Sequence, residues 1–150
     1  MSRFQTAPAV LLVCSIALAC GKKAEQATDS AVAVAPAPSP SVSAIALGRH
    51  LGSNNVVSDT ASVFGRRDTI YVSVTVQNAA PTSALTAKWT FQTGQLVDST
   101  SQAIARTDAT NATTVTEFHI SKKSAWPAGK YKVEIWLDGA TVGSRDFQVK

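Results

Sequence analysis

At 150 residues and 15.7 kDa, the chain has room for one domain and an appendage, which excludes a cofactor domain joined to a substrate domain and a βα barrel of about 250 residues. Charged residues make up 16%, below the roughly 25% of an average globular protein, and the surplus of Ala, Ser, Thr and Val favours β structure over charge-laced helices. The net charge of +4 is mild and its basic pairs, Arg66-Arg67 and Lys122-Lys123, stand far apart, so no continuous arm for nucleic acid exists. The first element follows Arg3, a largely apolar run from Ala7 to Ala19 that stops at Cys20. A positive start, an apolar stretch of about a dozen residues and a small residue before the cut predict a secretory signal over 1–19. The run is shorter than the about 20 residues a spanning helix needs. From Ala24 to Ser43 the chain is mostly Ala, Val, Ser and Pro, with Pro36, Pro38 and Pro40 spaced by two. Such a stretch cannot bury enough surface to offset its ordering, and it predicts a disordered Pro/Ala-rich tether over 20–43. Extended at about 3.1 Å per residue, the tether reaches on the order of 60 Å.

Residues 44–150 carry a period of two, the mark of half-buried strands. An opening strand is expected near Val42–Leu47. Ile70, Val72, Val74 and Val76 then form one apolar face, and Leu85, Ala87, Trp89 and Phe91 another after the Asn78–Pro81 turn. A weaker strand follows around Leu96–Ser101, and Thr114, Thr116, Phe118 and Ile120 set up the next. Tyr131, Val133, Ile135 and Leu137 lead into Asp138-Gly139, a strong hairpin signal, and Phe147 and Val149 point inward on the return. Val142 lies on the wrong parity for Phe147, so a bulge is expected near Gly143-Ser144. No segment has an apolar helix stripe. The fold class is therefore all-β, an antiparallel β-sandwich of about seven strands whose core holds Trp89, Phe91, Phe118, Tyr131 and Phe147.

Two resemblances add to this. Ala17-Leu18-Ala19-Cys20 resembles the lipobox of bacterial lipoproteins, with Ala17 where the family prefers Leu, and Gly21-Lys22-Lys23 follows at once. It implies a mature chain beginning at Cys20, held to the lipid bilayer by the acylated Cys20, and Gly21 implies delivery to the outer membrane. Cys14 leaves with the signal, so no disulfide, zinc site or redox pair is expected. The stretch Ser124-Ala125-Trp126-Pro127-Ala128-Gly129-Lys130-Tyr131 through Asp138-Gly139, with Phe147-Gln148-Val149, resembles the last hairpin of immunoglobulin-like modules in bacterial surface proteins. That resemblance is specific over 124–149 and implies an immunoglobulin-like sandwich over 44–150, with Tyr131 at a sheet corner. It supplies no activity, because such modules serve as spacers, adhesins and accessory domains.

The residues that could carry chemistry are few. Glu117, His119 and Ser121 share the wet face of one strand, but neighbours on one face lie about 6.6 Å apart, too far for triad contacts. His50 and the scattered acids show no metal-ligand spacing, and no phosphate loop is present. No catalytic residue, cofactor, metal or nucleic acid is therefore expected. Trp136 falls on the parity opposite Tyr131 and Val133, in line with Lys130 and Lys132, and Trp126 lies in the preceding loop. Trp126, Lys130, Lys132 and Trp136 form the candidate binding surface, since aromatic and basic anchors dominate recognition. The structural alternative is that a neighbouring strand covers Trp136 while Trp126 plugs one end of the sandwich. The expectation is an outer-membrane lipoprotein acting non-catalytically on an envelope protein partner. A glycan or peptidoglycan contact is the alternative and a hydrolase a distant third.

Overall fold

The alternating segments are strands in the computed structural model, which describes residues 38–104 and 112–150. In chain order they are β1 (Ser41–Gly48), β2 (Val63–Phe64), β3 (Ile70–Gln77), β4 (Ala84–Phe91), β5 (Gln95–Ala103), β6 (Thr113–Ile120), β7 (Gly129–Leu137) and β8 (Ala140–Val149). They form a three-stranded sheet, β1-β3-β6, facing a five-stranded sheet, β2-β8-β7-β4-β5. Every pairing is antiparallel except that of β2, which runs parallel to the end of β8. Among the described residues the strands therefore number eight against the seven or so expected, and β1 opens at Ser41, so residues 41–43 of the expected tether are strand. The expected signal, Cys20 and most of the tether lie outside the described residues. No helix among the described residues is long and apolar enough to cross a membrane.

Period-two alternation puts one apolar row per strand between the sheets. Ile70, Val72, Val74 and Val76 of β3 are fully buried, as are Leu85, Ala87 and Trp89 of β4 and Val133 and Ile135 of β7. Phe147 knits them together: it stacks on Tyr131 at 5.3 Å and takes Phe64 and Trp89 edge-on at 5.4 and 6.0 Å. Phe91, expected in the core, is only partly buried at the rim.

The β7–β8 turn is Asp138-Gly139, with φ of 50° and 84°. Two left-handed residues in a two-residue loop match the twist of a hairpin, and only glycine adopts that region at little cost. Asp138 also reaches back to β4, accepting from the Ala84 N–H at 2.8 Å and the Ser83 hydroxyl at 2.9 Å. The expected bulge is real and sits at Val142: Ile135 pairs Gly143 while Trp136 pairs Thr141. It brings β8 toward β1, where Arg145 Nε donates to the Ile45 carbonyl at 3.0 Å and closes that flank.

Between β1 and β3 the chain makes an excursion no periodicity announced. Val57 covers Ser73 on the outer side of the small sheet, its N–H donating to Ser73 Oγ at 3.3 Å. Arg49 pins the excursion, pairing Asp68 at 3.0 Å and Asp59 at 3.9 Å, donating to the Val63 carbonyl and lying 5.3 Å over the Phe64 ring.

Candidate functional site

The four residues of the candidate surface do not stay together. Lys130, Lys132 and Trp136 share the outer face of the five-stranded sheet, as their parity requires, beside Thr90 and Thr86 of β4. Trp136 is half-buried there and its indole Nε1 is sealed from solvent without a hydrogen-bond partner, so it cannot donate to a ligand. Trp126 is a correction. It is 5% exposed, donates from Nε1 to the Asp68 carbonyl at 2.9 Å, and is clasped by Arg66 through two backbone bonds of 2.7 and 3.0 Å. Its ring meets Tyr131 edge-on at 6.3 Å. It is part of the same buried cluster as Tyr131 and Ile120, so it plugs the sandwich instead of facing a ligand.

The histidines also part. His119 Nδ1 lies 3.3 Å from Glu117 Oε2 and its ring tilts against Tyr71 at 5.3 Å, while no hydrogen bond among the described residues ties Ser121 to them. His50 sits in the excursion, 3.3 Å from Asp59. Burial works to raise the Asp59 carboxyl, but the backbone N–H donors of His50 and Arg49, helped by the His50 side chain, outweigh it and hold the group below its usual range. Among the described residues no three His, Cys, Asp or Glu gather as metal ligands.

A feature with room for a ligand lies elsewhere, on the flank where β5 and β6 are the sheet edges. Across the β4–β5 pairing, Leu85, Ala87 and Trp89 stand opposite Gln102, Thr100 and Asp98, and directly opposed residues share a face. Asp98, Thr100 and Gln102 therefore point toward the space between the sheets, yet all three are exposed. Among the described residues five strands overhang three, and no further strand lies beside β6 to cover them. The register slips at Val97, and past it a groove of about 630 Å³ opens between the sheet edges. Phe91, Val97 and Tyr131 make its apolar base, with Asp98 on one wall and His119 and Lys122 on the other. Leu96 stands at the rim, 57% exposed. Among the described residues one hydrogen bond crosses the flank, from Gln102 Nε2 to the Glu117 carbonyl at 3.0 Å. Sequence reading missed this site. The available signal was the failure of apolar alternation over Asp98-Ser99-Thr100-Ser101-Gln102 between two strands that alternate cleanly.

Comparison with solved structures returns the same architecture. An immunoglobulin-like protein from Pseudomonas aeruginosa is 11% identical, with a TM-score of 0.50 over 77% of this chain and 100% of its own. That likeness shows the fold, an immunoglobulin-like β-sandwich. An alkylpurine DNA glycosylase from Pseudomonas fluorescens, bound to DNA containing an abasic site analog, aligns at 13% identity and a TM-score of 0.47 over 74% of this chain. A β-glucosidase from Listeria innocua in complex with glucose aligns at 11% identity and 0.43 over 71%. The chain spans 30% of the glycosylase and 16% of the glucosidase. No curated protein sequence matches the chain. A family model does: that of a domain of unknown function, DUF8428, covers residues 53–150, the whole sandwich after β1, and the chain belongs to that family.

Proposed function

We propose that this chain is a non-catalytic protein-binding module of the cell envelope, carried by acylated Cys20 at the outer membrane on its Pro/Ala-rich tether. The observation that supports it best is the open flank, where among the described residues a β5 face and a β6 edge have no strand over or beside them, above a groove with an apolar base. Sheet edges attract other chains, and native proteins that do not use them cover or charge them. β6 carries no lysine or proline, and Glu117 is its one acid. The glycan reading loses support, because one of its two rings, Trp126, is core and the Trp136 N–H is sealed.

Crosslinking in intact cells, with attached species identified by mass spectrometry, tests the reading. A reproducible envelope protein is the expected product, and recovery of glycan fragments alone would refute it. Anchoring is tested separately. Cys20→Ser is expected to release the protein from the membrane fraction and remove the acyl mass, and an unchanged mass and location would refute the lipid anchor.

A further inference from the structure

We propose that the flank beside β6 takes an extended segment of a partner polypeptide as a fourth strand of the smaller sheet, with a lysine or arginine of that segment set against Asp98. This rests on the protein-binding reading and names where on the molecule the binding occurs and what is bound.

The backbone of β6 offers the rungs. The Glu117 carbonyl receives Gln102 Nε2, so it points off the sheet edge rather than toward β3. In an antiparallel strand both backbone groups of alternate residues point the same way, so the N–H and C=O of His119 face outward too. Among the described residues, nothing but Gln102 bonds to this edge. A strand added at the usual spacing of about 4.8 Å would run directly over Asp98, Thr100 and Gln102, the exposed inner residues of β5. Of these, Asp98 stands furthest from Ala103 and Thr113, where β5 ends and β6 begins.

What fits the slot follows from what is already covered. A folded second copy cannot enter with its own β6, because Phe118 and Ile120 on the inner side of that strand are already buried against its own larger sheet. Only a strand with both faces free can lie on β5, which means a segment extended outside a folded domain. The slot is lined by a carboxylate, a hydroxyl and an amide, so the segment need not be apolar there. Asp98 selects its charge. Thr100 Oγ1 donates to Asp98 Oδ2 at 3.2 Å, and no ion pair among the described residues neutralises the group. Lys122, on the facing wall, lies 5.9 Å over the Trp126 ring. A lysine or arginine can lay its methylene stem along Phe91 and Val97 and bring its head to Asp98, whereas an acidic side chain is repelled.

The test uses the full chain against random short peptides displayed on phage, and in parallel a photocrosslinking side chain at Thr100 or at Lys132 in intact cells. Recovered peptides are expected to be enriched in Lys or Arg and to protect the His119 amide from hydrogen exchange. Asp98→Asn should weaken them about fivefold, the scale of a partly exposed ion pair, without moving the unfolding midpoint. Methylating the peptide nitrogens that face β6 should weaken them roughly tenfold or more, because each loses a rung. No enrichment, enrichment without basic residues, or indifference to both changes would overturn the proposal. A crosslink from Thr100 to a second copy, or onto the chain's own residues 20–37, would overturn it in favour of that occupant. Protein crosslinks from Lys132 alone would sink the slot and leave the protein-binding reading standing, and silence at both positions would sink both.

Discussion

Three buried aromatic residues, Trp126, Trp89 and Tyr131, differ in how their polar atoms are satisfied. Trp126 and Trp89 are both buried tryptophans, but the indole of Trp126 is bonded to Asp68 and that of Trp89, at the centre of the sandwich, has no partner. Trp89 meets Phe147 nearly at right angles, the geometry in which a ring edge faces a π surface, a weak substitute for a hydrogen bond. Trp126→Ala should cost about 3–5 kcal/mol in urea unfolding, the range for a buried aromatic truncated to Ala. Trp89→Phe should cost only about 1 kcal/mol, because the lost volume is offset by removal of an unpaired buried N–H. A larger loss for Trp89→Phe than for Trp126→Ala would contradict both assignments. Tyr131 is the third. Its hydroxyl donates to the Pro127 carbonyl at 2.8 Å across the corner entering β7. Burial pushes its ionisation above the ordinary value near 10, and Arg66 pulls only partly against that. A raised folded pKa favours the fold fully below the unfolded value, and that contribution is lost as pH rises through the folded one. Stability should therefore fall above about pH 10, and Tyr131→Phe should flatten that decline while costing about 1 kcal/mol at neutral pH.

At the scale of elements, the β7–β8 hairpin is held twice, by its turn and by Asp138 reaching to β4. Gly139→Ala tests the turn alone. A Cβ there meets nothing within 4 Å, so the expected cost of about 1 kcal/mol is backbone strain. Asp138→Ala strips the Ala84 N–H and the Ser83 hydroxyl as well, and should cost about 2–3 kcal/mol by the same unfolding assay. Equal costs would mean the link to β4 contributes nothing. The same elements show how far sequence reading went. β3, β4, β6, β7 and β8 were legible because each buries one face in a continuous core, which forces apolar residues onto one parity. The Val142 parity break gave the bulge. β2 was invisible, since two residues carry no period, and the excursion was invisible because Arg49 holds it through long-range polar contacts. β5 read as weak because its inner face is uncovered, so nothing required apolar residues at Asp98, Thr100 and Gln102. The candidate surface was half legible. Parity found the face of Lys130, Lys132 and Trp136, but Trp126 sits in a loop, where parity says nothing about burial.

At the scale of the molecule, the two flanks of the sandwich are unlike. One is shut, with β2 laid beside β8 and Arg145 bonded to Ile45, and the other overhangs an open groove. That asymmetry gives the sandwich a direction: the proposed contacts with other molecules lie at β5 and β6, away from the β1 edge. The shut flank has a further effect, on the order of events when the protein is made. The Arg145–Ile45 bond joins residues separated by 100 positions, and β8 supplies both the neighbour of β7 and the docking line for β2. Non-local closure of this kind means high contact order and slow folding. A chain emerging N-terminus first cannot seal its core until β8 arrives, so truncations ending before Ala140 should be cut by protease wherever the finished domain resists. The sandwich is thereby kept open until β8 is made, and the strand that completes the fold also serves as its timer.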